Sequence, residues 1–108
     1  MSEQQIYQQL GLVKRAGALI TGNDACMTAI RSGKAALAVV ARDTGANAMK
    51  KYHDKCKSFH VPLIELLDKE RLGQAVGKAH SAIVVITDPR FAQRIRQMSG
   101  ETNGGEAD

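Results

Sequence analysis

The chain lacks tryptophan and has two tyrosines, two phenylalanines and two prolines in 108 residues. An aromatic content of 4% predicts a core filled by Leu, Ile, Val and Ala rather than by rings. Two cysteines, Cys26 and Cys56, are too few for a disulfide framework and fit a reducing cytoplasm. No apolar run reaches the roughly 18 residues that a membrane span needs, and the polar start Met1-Ser2-Glu3-Gln4-Gln5 predicts no signal peptide. Catalytic signals are missing too. No nucleophile lies near a candidate base, and no paired acids share a loop, so the expected class is a non-enzymatic protein without a cofactor.

What is present is an apolar fraction of 44%, enough for one continuous core in a single domain. The charge is uneven. Three of the 11 acidic residues, Glu101, Glu106 and Asp108, fall in the last ten positions, which hold no Lys or Arg. The preceding chain therefore carries 15 basic against 8 acidic side chains. A basic body of this kind favours a polyanion, through phosphate neutralisation and counterion release. A solubilising surface accounts for the same charge equally well. The composition divides the chain into a domain over residues 1–98 and a disordered acidic tail over 99–108, the latter without a core-forming side chain.

Hydrophobic spacing gives alternating elements. Ile6, Leu10 and Val13 predict a helix over 5–16 that stops near Gly17. Residues 18–20 form a short strand. Thr21 then starts a second helix, Thr21-x-x-Asp24 having the form of a capping box, and Gly33 closes it. Residues 35–41 are apolar without alternation, as in a strand covered on both faces. A third helix over 46–57 has Met49, Tyr52 and Cys56 inside. A strand over 60–66 and a helix from Asp68 to Val76 follow, and Gly77 ends that helix. A strand over 81–87 precedes a last helix capped by Asp88, with Pro89 at its first position and Phe91, Ile95 and Met98 as its stripe. Helices alternating with doubly covered strands predict a three-layer α/β/α sandwich around a small mixed sheet of about four strands.

Four groups of residues invite a functional reading. The first is Gly22-Asn23-Asp24 with Arg31 and Lys34. Asn23, Met27 and Arg31 recur every four residues, and are expected on a face turned away from the buried Cys26, Ala29 and Ile30. A helix start offers unpaired N–H donors, and Asn and Asp can address base edges. The same residue types serve as ordinary helix caps. The second is Gly73 to His80. It misses the P-loop spacing, since three residues separate Gly73 from Gly77 and Ala79 follows Lys78, so a nucleotide site is rejected. Close packing at Gly73 and a helix cap at Gly77 account for the glycines; Lys78 and His80 are free to meet a phosphate. The third, His53, Cys56 and His60, has no fourth ligand at metal-site spacing, and Cys56 reads as core. The fourth, Lys50, Lys51, Lys55 and Lys57, is a solvated face that adds attraction for RNA without specificity.

Together, Gly22-Asn23-Asp24, the run Arg31 to Asp43, Val61-Pro62, Leu72-Gly73-x-Ala75-x-Gly77 and the strand from Ala82 to Ile86 resemble the ribosomal protein L-seven-Ae / L-thirty-e superfamily, and within it the bacterial YlxQ-type branch. The resemblance covers about residues 5–97. It implies an α/β/α sandwich that grips kink-turn RNA, a bent internal loop with tandem sheared G·A pairs. It implies that Gly22, Asn23 and Asp24 meet the guanines, that Arg31 and Lys34 meet phosphates, and that Lys78, Ala79 and His80 form a second lip. Met27, Arg42 and Asp43 complete the implied RNA-binding set. Asp24 stands where other members carry Glu, and Met27 where they carry Lys. The loss of that cation is expected to cost ~1–3 kcal/mol of base recognition. The implied partner is structured RNA, ribosomal RNA among the candidates, bound by a cytoplasmic monomer that needs no metal. The alternative is an assembly module that keeps the fold without kink-turn specificity.

Overall fold

The computed structural model describes residues 3–100. Nine elements follow in order: α1 (Glu3–Arg15), β1 (Leu19–Thr21), α2 (Asn23–Arg31), β2 (Leu37–Val40), α3 (Ala46–Ser58), β3 (Leu63–Glu65), α4 (Lys69–Ala75), β4 (Ile83–Ile86) and α5 (Pro89–Ser99). The strands form one mixed sheet in the order β1-β4-β2-β3. β4 is antiparallel to both neighbours, and β2 runs parallel to the edge strand β3. Pro62 stands just before that edge strand, and its carbonyl still accepts from the Ala38 amide.

The unalternating apolar runs have the reason expected of them. On β2 and β4 every residue is buried. Leu37, Val39, Val84 and Ile86 join one cluster with Ile6, Leu10 and Val13 of α1, Leu72 of α4 and Ile95 of α5. Ala38, Val40, Ile83 and Val85 join a second with Cys26 and Ile30 of α2 and Tyr52 and Cys56 of α3. The sheet therefore lies between a layer of α1, α4 and α5 and a layer of α2 and α3, a three-layer α/β/α sandwich. Each large aliphatic side chain buried this way contributes about 1.5–3 kcal/mol. Among the described residues no helix is long and apolar enough to cross a membrane.

Helix boundaries follow local chemistry at most ends. Asp68 and Asp88 accept from the Arg71 and Arg90 amides as N-caps, the second followed by Pro89. At α2 the capping-box expectation fails. Thr21 is the last residue of β1, paired with Val84, and Gly22 occupies the cap position without a side-chain hydrogen bond. Gly22 has φ 95°, where a β-branched residue is strained, so the turn falls on the glycine and Thr21 stays extended. At the other terminus α5 runs through Ser99 to a left-handed Gly100, two residues into the stretch assigned to the tail. Residues 101–108, the rest of that expected tail, lie outside the described residues.

Candidate nucleic-acid interface

The strand directions decide which loops meet. β1, β2 and β3 finish where β4 begins, so Gly22-Asn23-Asp24, Arg42-Asp43 and the approach to Ile83 gather at one end of the sheet. The pairing of Thr21 with Val84 sets Gly22 beside the start of β4.

At that end α2 opens with its first intrahelical bond from Cys26 N to Gly22 O (2.9 Å). The amides of the first turn precede any intrahelical acceptor, and no side chain caps the helix. They point outward with the positive end of the helix dipole. Asn23 is held in one orientation. The Tyr52 hydroxyl of α3 donates to its Oδ1 (2.8 Å), and its Nδ2 donates to Asp24 Oδ1 (3.2 Å). That leaves the second Nδ2 hydrogen and the other Asp24 oxygen as a donor and an acceptor on an exposed surface. Tyr52 is buried beneath them, and its pKa is raised by desolvation and then by neighbouring Cys26. Cys26 lies deeper, its thiol donating toward Ile20 O (3.4 Å) and Ile83 O (3.7 Å). Burial pushes it to about 12 and Cys56 to about 11, so both thiols stay protonated at neutral pH and neither is a nucleophile.

Met27 is the clearest correction. Expected on the outer face with Asn23 and Arg31, it is 4% exposed and belongs to the cluster that includes Tyr52 and Cys56. α3 packs against α2 from the side, so α2 is covered over a wider arc than one sheet contact would require. Asn23 escapes this cover because it is the first helical residue. Arg31 escapes it at the other end, in the last turn.

The loop expected to form a second lip is seated by a close approach. A Cβ on Gly73 of α4 would stand 2.4 Å from His80 Cα, so only glycine lets this loop lie on the helix. Lys78 N donates to Gly73 O (2.8 Å) and Ser81 N to Lys69 O (2.9 Å), which ties down both ends of the segment. Lys14 Nζ donates to Val76 O (2.6 Å) at the helix end. Lys78, Ala79 and His80 remain exposed.

Other residues of the expected set fall elsewhere. Asp43 Oδ1 accepts from Lys69 N (2.9 Å) and so serves the start of α4. Arg42 pairs with Glu3 (2.8 Å), whose other oxygen takes Arg71 (2.8 Å). Both therefore tie α1 and α4 to the end of β2, although they share the sheet end with Asn23. Arg31 and Lys34 are exposed at the far end of α2, roughly 12 Å of helix rise from Asn23. His53, Cys56 and His60 part company: His53 Nε2 meets Glu65 (2.9 Å), Cys56 is buried, and His60 follows the end of α3 in a left-handed conformation. Among the described residues no three His, Cys, Asp or Glu side chains gather as metal ligands. Sequence reasoning placed Tyr52 on the inner side of α3 but missed its bond to Asn23. The available signal was a buried tyrosine, whose hydroxyl needs a partner.

These features define a class, a three-layer α/β/α domain with a locked polar helix start and a glycine-seated loop at one end of a mixed sheet. The chain belongs to the ribosomal protein L7Ae/L30e/S12e/Gadd45 family, whose model matches residues 4–95. It is 33% identical over 95 residues to the RNA-binding protein YlxQ of Bacillus subtilis (strain 168), covering 88% of this chain and 95% of that one. It is 33% identical over 97 residues to the RNA-binding protein YlxQ of Enterococcus faecium, covering 90% and 93%. A solved structure of a Bacillus halodurans protein of unknown function superposes with a TM-score of 0.82 at 29% identity, over 86% of this chain and 94% of that one.

Proposed function

We propose that this chain is a non-enzymatic RNA-binding protein that recognises a kink-turn-like fold in ribosomal or regulatory RNA in the cytoplasm. The observation that carries the reading is the Tyr52–Asn23–Asp24 chain of hydrogen bonds at the uncapped start of α2. A guanine in a sheared G·A pair presents donors and acceptors on exposed edges. An amide and a carboxylate in fixed register match such an edge better than mobile side chains would, because less freedom is lost on binding. The exposed loop at Lys78, Ala79 and His80 supplies the opposite lip, and Arg31 and Lys34 extend phosphate contact along α2. Two YlxQ relatives that carry the description RNA-binding support the partner class. The test is a gel-shift titration of the full chain against a kink-turn RNA and against the same RNA with both G·A pairs replaced. At least tenfold tighter binding to the intact motif is expected; equal affinities overturn the specificity.

A further inference from the structure

We infer that the outer face of α5 is a second RNA surface, one that takes the phosphate backbone of a duplex, so that the protein joins two RNA segments. α5 packs with α1 and α4 on the sheet face opposite α2 and α3. Its inner stripe is Ala92 and Ile95, with Phe91 and Met98 half-buried beside them. Its outer stripe is Arg90, Gln93, Arg94 and Gln97, spaced i, i+3, i+4 and i+7 and all exposed. No acidic residue lies in the helix. The nearest, Asp88, spends one oxygen on the Arg90 amide, and its other lies 3.4 Å from an Arg90 guanidinium that is itself 93% exposed. Arg94 has no ion-pair partner among the described residues.

Three open clefts adjoin this stripe, one of about 610 Å³ running along Arg90, Phe91, Gln93, Arg94 and Gln97 themselves and two on its flanks. One, of about 480 Å³, separates it from α1 and is lined on the α1 side by Gln5, Gln8, Gln9 and Leu12. The other, of about 320 Å³, lies between Ala36 and Gln93 and holds Arg96, whose Nε is buried without a protein acceptor. The surface thus offers arginines for phosphates and glutamines that can give and take hydrogen bonds with a 2′-hydroxyl. The four residues of the outer stripe are themselves polar or charged. The apolar groups beside it, Leu12 (46% exposed) and Met98, lie off the stripe in the cleft toward α1, not at its centre where a protein partner would need an anchor. The aromatic residue of α5, Phe91, is half-buried against the core and shows one edge to the cleft along the stripe.

The test uses the full chain and an RNA duplex of about 20 base pairs with no internal loop, read by fluorescence anisotropy at low and moderate salt. R90E/R94E is compared with K51E/K55E, which changes the net charge equally on α3. The α5 pair is expected to weaken duplex binding at least tenfold and the α3 pair less than threefold. R90Q/R94Q, which tests charge removal on the same exposed positions, is expected to lower the salt slope by about 2. Equal losses in both charge-reversal variants would mean that net charge alone attracts the duplex, which overturns the inference. No loss in R90E/R94E overturns it too. No kink-turn RNA enters this assay, so its outcome is separate from that of the first site.

Discussion

The start of α2 and the outer face of α5 are both polar and exposed, yet they are built differently. At the start of α2 the polar side chains are tied to other parts of the chain. Tyr52 reaches from α3 to Asn23, Asn23 reaches Asp24, and His80 lies against Gly73. On α5 the arginines and glutamines are held by little beyond the helix itself. Held groups keep direction and can discriminate between base edges. Unheld charges provide attraction that falls with salt and is indifferent to sequence. On the proposed reading, the contrast separates recognition from affinity within one small domain.

The comparison can be broken most severely from beneath the held site. Met27→Ala should destabilise the fold by ~2–5 kcal/mol, as truncation of a buried side chain does. The folded fraction should keep its RNA affinity. Thermal melting with a titration below the melting point checks both; a stable variant with weakened RNA binding would return Met27 to the interface. Gly73→Ala should cost ~1–3 kcal/mol, because a Cβ there drives into the His80 backbone. It should also reduce the preference for intact kink-turn RNA over the G·A-replaced form. If preference survives a measurable loss of stability, the loop is not a lip.

Asn23→Ala should weaken binding to the intact motif by ~1–3 kcal/mol, about tenfold to a hundredfold. Lys57→Ala, on the solvated face of α3, should lower the salt slope by about 1 and leave the preference between the two RNAs alone. Matching effects in these two variants would erase the distinction between held and unheld groups. Tyr52→Phe keeps the ring and removes the hydroxyl. It should cost ~1 kcal/mol of stability and narrow the preference between the two RNAs, while duplex binding at α5 is unchanged.

The smallest effect comes with pH. Cys26 beneath the site keeps its proton in the fold to about 12, whereas in the unfolded chain it ionises near 9.0. The unfolded state therefore releases protons first. Stability is full below pH 9 and declines as pH rises above it, by less than about 1.4 kcal/mol per unit for this thiol. Melting curves between pH 8 and 10 for the parent and Cys26→Ala should diverge in that direction.

Much of this was legible without coordinates. Apolar runs without alternation marked β2 and β4 as central strands, and Asp68 and Asp88 marked helix starts, because capping and burial act through neighbours in the chain. The glycine turn at Gly22 was misplaced by one residue. Thr and Gly both suit a helix cap locally, and pairing with Val84 settles which of them does the work. Periodicity turned Met27 outward because it counts one buried face per helix, and cannot know that α3 covers a second. The sequence alone determined which segments become helix or strand, since hydrogen-bond geometry and side-chain period act over a few residues. Only the tertiary structure decided that Tyr52 fixes Asn23, that His80 needs Gly73 bare, and that Arg42 and Asp43 serve α1 and α4. Those contacts join residues far apart in the chain, and no local preference encodes them.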